Sequence, residues 1–206
     1  MLQPFLSPKA LRRRSFALHS QTHVLRLPRI SDFAAWSALR TRGRAFLQPW
    51  EPLWNVQDMT EPAFRQRVHR VNRDFDAGTS IQLFIFLKET ETLAGGITIG
   101  LIQRGVAQKC TLGYWMGEEF AGKGHMFAAL SLVIPYIFSE MRLHRIEAAC
   151  IPTNERSARL LQKAGFNQEG LLREYLRING VWRDHHLYAL LADDWNKTDK
   201  GTESQT

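Results

Sequence analysis

The sequence predicts an α+β (mixed α/β) fold, a central, mostly antiparallel sheet flanked by helices. Three observations carry this expectation. Strand-like runs follow one another between residues 81 and 117, and their connections are too short for crossovers. Segments with helical spacing of apolar residues lie before and after them. Near the C-terminus, Asn179-Gly180 separates two further strand runs, the dipeptide of a type I′ hairpin turn. Strands and helices do not alternate regularly, which argues against a doubly wound parallel sheet.

Each element has its own signal. "HVLRLPR" (23–29) alternates as a first strand. Ser31 or Asp32 caps a short helix through "FAAWSALR". "FLQPWEPLW" (46–54) is a proline-broken aromatic loop. Thr60 caps a second helix, with Phe64, Val68, Val71 and Phe75 on one face, and "DAGTS" ends it. Strands follow at 81–88, 94–103 and 109–117; the internal Gly113 predicts a bulge or a close backbone approach. A helix over about 125–141 carries Met126, Leu130, Val133, Ile134, Ile137 and Met141 on its apolar face, and Pro135 should kink it. "RIEAACI" (145–151) is a strand. "NERSARLLQKAGF" (154–166) is a helix from an Asn154 cap to Gly165 at C′. The hairpin spans "LREYLRINGVWRDHHLYALL".

The 206 residues predict one domain over 21–195, a basic, poorly ordered arm over 1–20 and a polar, disordered tail over 196–206. Hydrophobic content of 44% and charged content of 23% are those of a globular protein, and no run approaches the ~18 apolar residues of a membrane span. The start of the chain is a poor secretory signal; its lack of acid before Asp32 also fits a transit peptide, but a basic arm is the simpler reading. Cys110 and Cys150 make neither a disulfide framework nor a metal site and read as buried thiols, so a cytoplasmic location without metal is expected. The net charge of +7 favours anionic partners, nucleotide cofactors or RNA-rich particles. The basic residues are scattered, and no sequence-specific nucleic-acid motif or membrane anchor is expected.

"GEEFAGKGHMFAAL" (117–130) carries the chemistry. A strand ends at Gly117; Gly122 and Gly124 then precede a helix start. Glycines let a backbone approach a ligand, and the first helical turn offers free N–H groups and a positive dipole end. The same pattern also serves as a plain strand-to-helix turn. It is not a Walker loop, because no Ser or Thr follows the lysine.

"EFAGKG" (119–124) and "NERSARLLQKAGF" (154–166) together resemble the two motifs of the GNAT superfamily of acyl-CoA N-acyltransferases. The first motif runs Arg/Gln-x-x-Gly-x-Gly/Ala, and Glu119 departs from its first position. With "FLQPWEP", "LGYWMG", "GKGHMFAAL", "LHRIEAACIPTNERSARLLQKAGFNQEG" and "YLRINGVWRDHHLYALL", the likeness extends over roughly 20–195 and narrows to the RimJ/RimL type, which acetylates N-terminal amino groups of ribosomal proteins.

This resemblance implies a sheet splayed at a bulged strand and acetyl-CoA as co-substrate. It places the pyrophosphate on the backbone N–H groups of Gly122, Lys123, Gly124, His125 and Met126. Strand 112–117, with Trp115, Met116 and Gly117, would aim a backbone N–H, from Trp115 or Met116, at the thioester oxygen. Asn154 would contact the pantetheine arm. The tyrosine that serves many relatives as acid toward the leaving thiol is replaced by Leu161, and Ser157, one turn earlier, is the substitute donor.

Glu51 in "PWEP", between Trp50 and Trp54, is the favoured base, with Glu147 second and better explained as an ion pair. His185 and His186 adjoin in a strand and point to opposite faces, and Trp115, Trp182 and Tyr188 read as core or pocket wall. The acceptor implied is a protein N-terminus, such as that of a ribosomal protein, met by a monomer or homodimer. Two alternatives are a GNAT acting on a small amine and a non-catalytic CoA-binding or ribosome-associated factor.

Overall fold

The computed structural model describes residues 12, 13 and 15–196. Among the described residues eight strands form one sheet: β1 (Ala17–His19), β2 (His23–Arg26), β3 (Ile81–Leu87), β4 (Thr92–Gln103), β5 (Lys109–Met116), β6 (Arg145–Cys150), β7 (Asn167–Ile178) and β8 (Val181–Leu191). Their spatial order is β1-β2-β3-β4-β5-β6-β8-β7, antiparallel except for the parallel β5–β6 pair. The sheet begins inside the stretch assigned to the arm, because Ala17–His19 pairs with Val24–Arg26. Residues 1–11 and 197–206, most of the expected arm and tail, lie outside the described residues. At the other end residues 192–196 are helical, which takes in only the first residue of the expected tail, and Trp195 rests 5.6 Å from the Phe138 ring.

Helices α1 (Phe33–Arg42), the short α2 (Arg44–Leu47), α3 (Glu61–Ala77), α4 (His125–Pro135) and α5 (Glu155–Lys163) flank the sheet. Strand alternation divides the core. Ile81, Leu83 and Ile85 of β3 and Cys110, Leu112 and Met116 of β5 join Ala129, Leu130 and Val133 of α4 in the larger cluster. Phe84 of β3 turns to Trp36 and Leu39 of α1 and Phe64 and Val68 of α3, with Trp115 packed against them. Thr60 caps α3 as its sequence predicts. Asp32 does not cap α1 with its side chain; its buried carboxylate takes two hydrogen bonds from Arg26 at 2.7 and 2.8 Å and the Arg29 N–H at 2.7 Å. A charged, bidentate donor offers more than a helix amide can.

Pro135 widens its helix rather than ending it. It cannot donate an N–H, and a π turn follows over Tyr136–Glu140, with the Met141 N–H reaching the Tyr136 carbonyl at 3.0 Å. Helix α5 closes through Gly165: its N–H bonds the Gln162 carbonyl and the Phe166 N–H bonds that of Leu161, each at 3.0 Å. Strand β7 starts five residues before the expected hairpin, and Asn179 and Gly180 take φ +46° and +81° in the turn.

The sheet opens between β5 and β6. Their pairing runs from Lys109↔Arg145 to Leu112↔Ala148 and stops, although β5 continues along β4 and β6 along β8. Gly113 stands at the opening. The expected bulge is not there: Gly113 pairs regularly with Thr98, a Cβ on it would meet nothing within 4 Å, and the register shift falls between Gly100 and Gln103.

Beside the paired part of β6, Glu147 accepts from Lys109 at 3.0 and 3.2 Å and from Arg145 at 2.8 Å. Burial pushes its carboxyl up, but these hydrogen bonds and charges outweigh it and hold the pKa below the ordinary carboxylate value. A depressed folded-state pKa contributes stability above the unfolded value of about 4.3, and that contribution is lost as pH falls through the folded value. Glu147→Gln should therefore be less stable at neutral pH and show a shallower acid limb in denaturant melts. Parallel limbs for the two proteins would refute this account.

Candidate active site

The opening leads into a cleft of about 510 Å³. Its walls are β5 (Tyr114, Trp115, Met116), the glycine turn and start of α4 (Gly122, Gly124, His125, Met126, Phe127), α5 (Asn154 cap to Lys163) and the aromatic loop (Phe46, Trp50, Glu51). The sequence expectations for these segments meet here, with two exceptions. Gly117 does not line the cleft: its N–H donates to the Ala94 carbonyl, and a Cβ on it would lie 2.5 Å from the Leu39 side chain. Lys123 is exposed outside the lining.

Gly122 and Gly124 take φ of +74° and +83°, and a Cβ on either would meet nothing within 4 Å. The turn thus presents bare backbone to open space. Gly124 is the N-cap of α4 and supplies no side-chain cap. Among the described residues, the N–H groups from Gly122 to Phe127 donate to no protein acceptor; the first bond of the helix runs from the Ala128 N–H to the Gly124 carbonyl at 3.0 Å. A run of unpaired donors at a helix start fits a pyrophosphate.

His125 is held from behind by His23, ring nitrogen to ring nitrogen at 3.0 Å. Burial and then the neighbouring His125 lower the His23 pKa, so His23 stays neutral at pH 7. Arg156, Arg159 and Lys163 add positive charge along α5: Arg156 lies over the Phe46 ring, Lys163 lies over that of Phe127, and Arg159 pairs with Glu155. Glu119, the departure from the motif, is exposed and paired with Arg42 at 2.9 Å.

Strand alternation decides which β5 amide faces the opening. The Gly117 N–H points to β4, where it bonds Ala94 at 2.8 Å. Trp115, two residues earlier, points the same way, so Met116 turns its N–H toward the side that β6 has left.

Asn154 accepts the Ser157 N–H at 3.1 Å, which ties the first turn of α5 to its cap. The Ser157 hydroxyl lies 2.7 Å from the Tyr114 hydroxyl. Burial drives the Tyr114 pKa well above the ordinary phenol value, only partly offset by the bond to Ser157, so the phenol stays protonated. The sequence expectation left Tyr114 out. Its signal is its position two residues before Met116, on the same face of β5. Leu161 is fully buried core.

Glu51 lines the cleft, but both its oxygens are engaged. The Arg40 guanidinium binds it in a fork, and Trp54 Nε1 donates to it at 2.8 Å. Through these bonds Glu51 ties the aromatic loop to α1. Its carbonyl also accepts the Asn179 N–H at 2.8 Å, which ties the loop to the hairpin tip. Glu147 belongs to its ion pairs. His185 is buried with Nδ1 on the Arg183 carbonyl, and Tyr188 is core, whereas Trp182 is 58% exposed on the hairpin.

Among the described residues, no group of three or more His, Cys, Asp or Glu side chains is placed to hold a metal ion, and no helix is long and apolar enough to cross a membrane.

Comparison with known proteins bears on this geometry. Residues 23–167 match the acetyltransferase (GNAT) domain family. The [ribosomal protein uS5]-alanine N-acetyltransferase of Escherichia coli (strain K12) is 35% identical over 174 residues, 84% of this chain and 89% of that protein. The ribosomal-protein-S5-alanine acetyltransferase of Vibrio fischeri superimposes with TM-score 0.81 at 31% identity, covering 88% of this chain and 99% of the other. RimJ of Mycobacterium smegmatis, solved in complex with CoA-disulfide, gives 0.80 at 31% identity, with 87% of each chain covered. The open sheet, the glycine turn and these likenesses have one reading: the chain belongs to the GNAT family of acetyltransferases and is an acyltransferase that uses acetyl-CoA as co-substrate.

Proposed function

We propose that this enzyme acetylates the N-terminal α-amino group of a protein, of the ribosomal-protein kind, by direct attack in a ternary complex. The observation that carries the reading is the cleft at the opening of the sheet, which brings together a backbone amide that faces the opening, a neutral hydroxyl pair and a helix start with unpaired N–H groups. The likeness to uS5-alanine N-acetyltransferase over most of both chains supports the protein acceptor. Such an acceptor places the enzyme in the cytoplasm.

Acetyl-CoA supplies an acetyl group activated as a thioester. Backbone N–H groups of Gly122 and from Gly124 to Met126 would hold its pyrophosphate, and Asn154 the pantetheine arm. The Met116 N–H would stabilise negative charge developing on the carbonyl oxygen. The Ser157 Oγ–H, held by the Tyr114 hydroxyl, would give its proton to the departing sulfur and be reprotonated by the proton that the acylated amine loses. A free α-amine has a pKa of about 8, so a reactive fraction is neutral at pH 7 without a dedicated carboxylate base.

Thiol release from acetyl-CoA, measured on short peptides that differ at residue one with small amines alongside, tests the reading. Turnover on a subset of peptides is expected. Turnover on small amines alone would replace the acceptor class, and binding of acetyl-CoA without turnover on peptides, amines or purified ribosomal proteins would replace catalysis by a binding role.

A further inference from the structure

Next to the Glu51 and Trp115 wall of the cleft, on the α1–α3 face, lies a cluster that the transfer chemistry does not use. Arg40 of α1 is 7% exposed. Its guanidinium lies 4.3 Å from the Trp54 ring centre, 5.0 Å from Trp115 and 5.8 Å from Trp36. Arg67 of α3 lies 5.7 Å from the same Trp36 ring. Arg40 has Glu51 as its partner. Arg67 has none: it makes no ion pair and donates no hydrogen bond among the described residues.

The charges do not balance. Burial lowers the Arg67 pKa, and the nearby Arg40 and Arg70 lower it further, opposed only by Glu51, already bound to Arg40, and by Asp58. Three guanidiniums thus face two carboxylates. Three buried donors, Arg40 Nε, Arg67 Nε and Trp36 Nε1, have no acceptor. Buried donors without acceptors are costly, and Arg67 adds a half-buried cation without a partner, so such a cluster persists where an incoming acceptor completes it. Glu51 and Trp115 belong both to this cluster and to the cleft wall, so the cluster adjoins the cleft.

We infer that Arg67, with Arg40 beside it, forms a carboxylate-binding subsite that selects acceptors carrying an acidic side chain one or two residues after the reacting amine. This rests on the proposed N-terminal acceptor. Extended peptide advances about 3.3–3.6 Å per residue, so the second or third residue would lie about 3–7 Å beyond the reacting amine. A planar guanidinium matches a carboxylate with two parallel hydrogen bonds, which an amide of the same shape cannot replace.

Two readouts separate this inference from the acceptor reading. First, the enzyme with CoA bound is titrated with succinate and with succinamide at constant ionic strength, following the emission of the tryptophans around the arginines. Succinate should give a saturable change that succinamide lacks and that Arg67→Gln removes; Arg67→Lys, which keeps the charge without the fork, should weaken it several-fold. Identical responses to the two ligands, or an unaltered succinate response in Arg67→Gln, would overturn the subsite whatever the enzyme acetylates. Second, kcat/KM is compared for peptides beginning Ala-Asp and Ala-Asn, and for pairs with the exchange at residue three. A preference of about tenfold for the acid, mainly in KM and lost in Arg67→Gln, is expected. Equal rates would overturn the selective role. Silence on all peptides with the succinate response intact would refute the N-terminal acceptor and leave the anion subsite standing.

Discussion

Gly124→Trp should abolish acetyl-CoA binding. The turn works by exposing backbone: Gly124 has φ of +83°, and its missing side chain leaves open space over the unpaired amides at the start of α4. An indole would fill that space and cover the donors. A loss of at least 100-fold in Kd, about 2.7 kcal/mol, is expected by calorimetry or by protection against thermal unfolding. Gly124→Ala separates the two components of the effect. A methyl group meets no atom there but must adopt a left-handed backbone at a cost of roughly 1–2 kcal/mol, so it should lower Tm more than it lowers affinity. Unchanged affinity in Gly124→Trp would move the pyrophosphate away from this turn.

Ser157→Ala and Tyr114→Phe should lower turnover far more than they lower acetyl-CoA affinity. The two hydroxyls are 2.7 Å apart and form the protonated pair nearest the opening. Removing a positioned proton donor costs about 10²-fold or more in rate, and Ser157→Ala should show a loss of that order in kcat with Kd within threefold. Tyr114→Phe should be milder, because Ser157 remains. The double variant should be little slower than Ser157→Ala, since residues that act as a unit are not additive. Burial keeps Tyr114 protonated beyond the ordinary phenol value of about 10, so kcat/KM should rise with pH through the amine pKa near 8 and show no fall from phenol ionisation up to pH 10. A wild-type rate in Ser157→Ala would remove the hydroxyl pair from the reaction.

Much of this protein was legible in its sequence because the signals were local. The glycine turn, the Asn154 cap, the Gly165 stop and the Asn179-Gly180 turn each depend on backbone geometry that a few adjacent residues impose. Periodicity gave the buried faces of α3 and α4, since 3.6-residue spacing is a property of the chain alone. Short connections gave the antiparallel meander, and two motifs in order gave the family.

Partnership between distant residues was decided by tertiary structure. Glu51 is attractive as a base beside two tryptophans, until α1 brings Arg40 onto both its oxygens. Asp32 is a good cap by type, yet Arg26 from β2 outcompetes the helix amides for it. Tyr114 gains meaning only when α5 lays Ser157 against it from 43 positions away. Gly113 marks the opening not by bulging but because β6, arriving from beyond α4, leaves β5 at Leu112. The sequence by itself determined most of the elements and the glycine turn before α4, because those energies are local. Which charges are paired and which amide faces the opening follow from the packing of elements far apart in the chain, and only the folded sheet sets them.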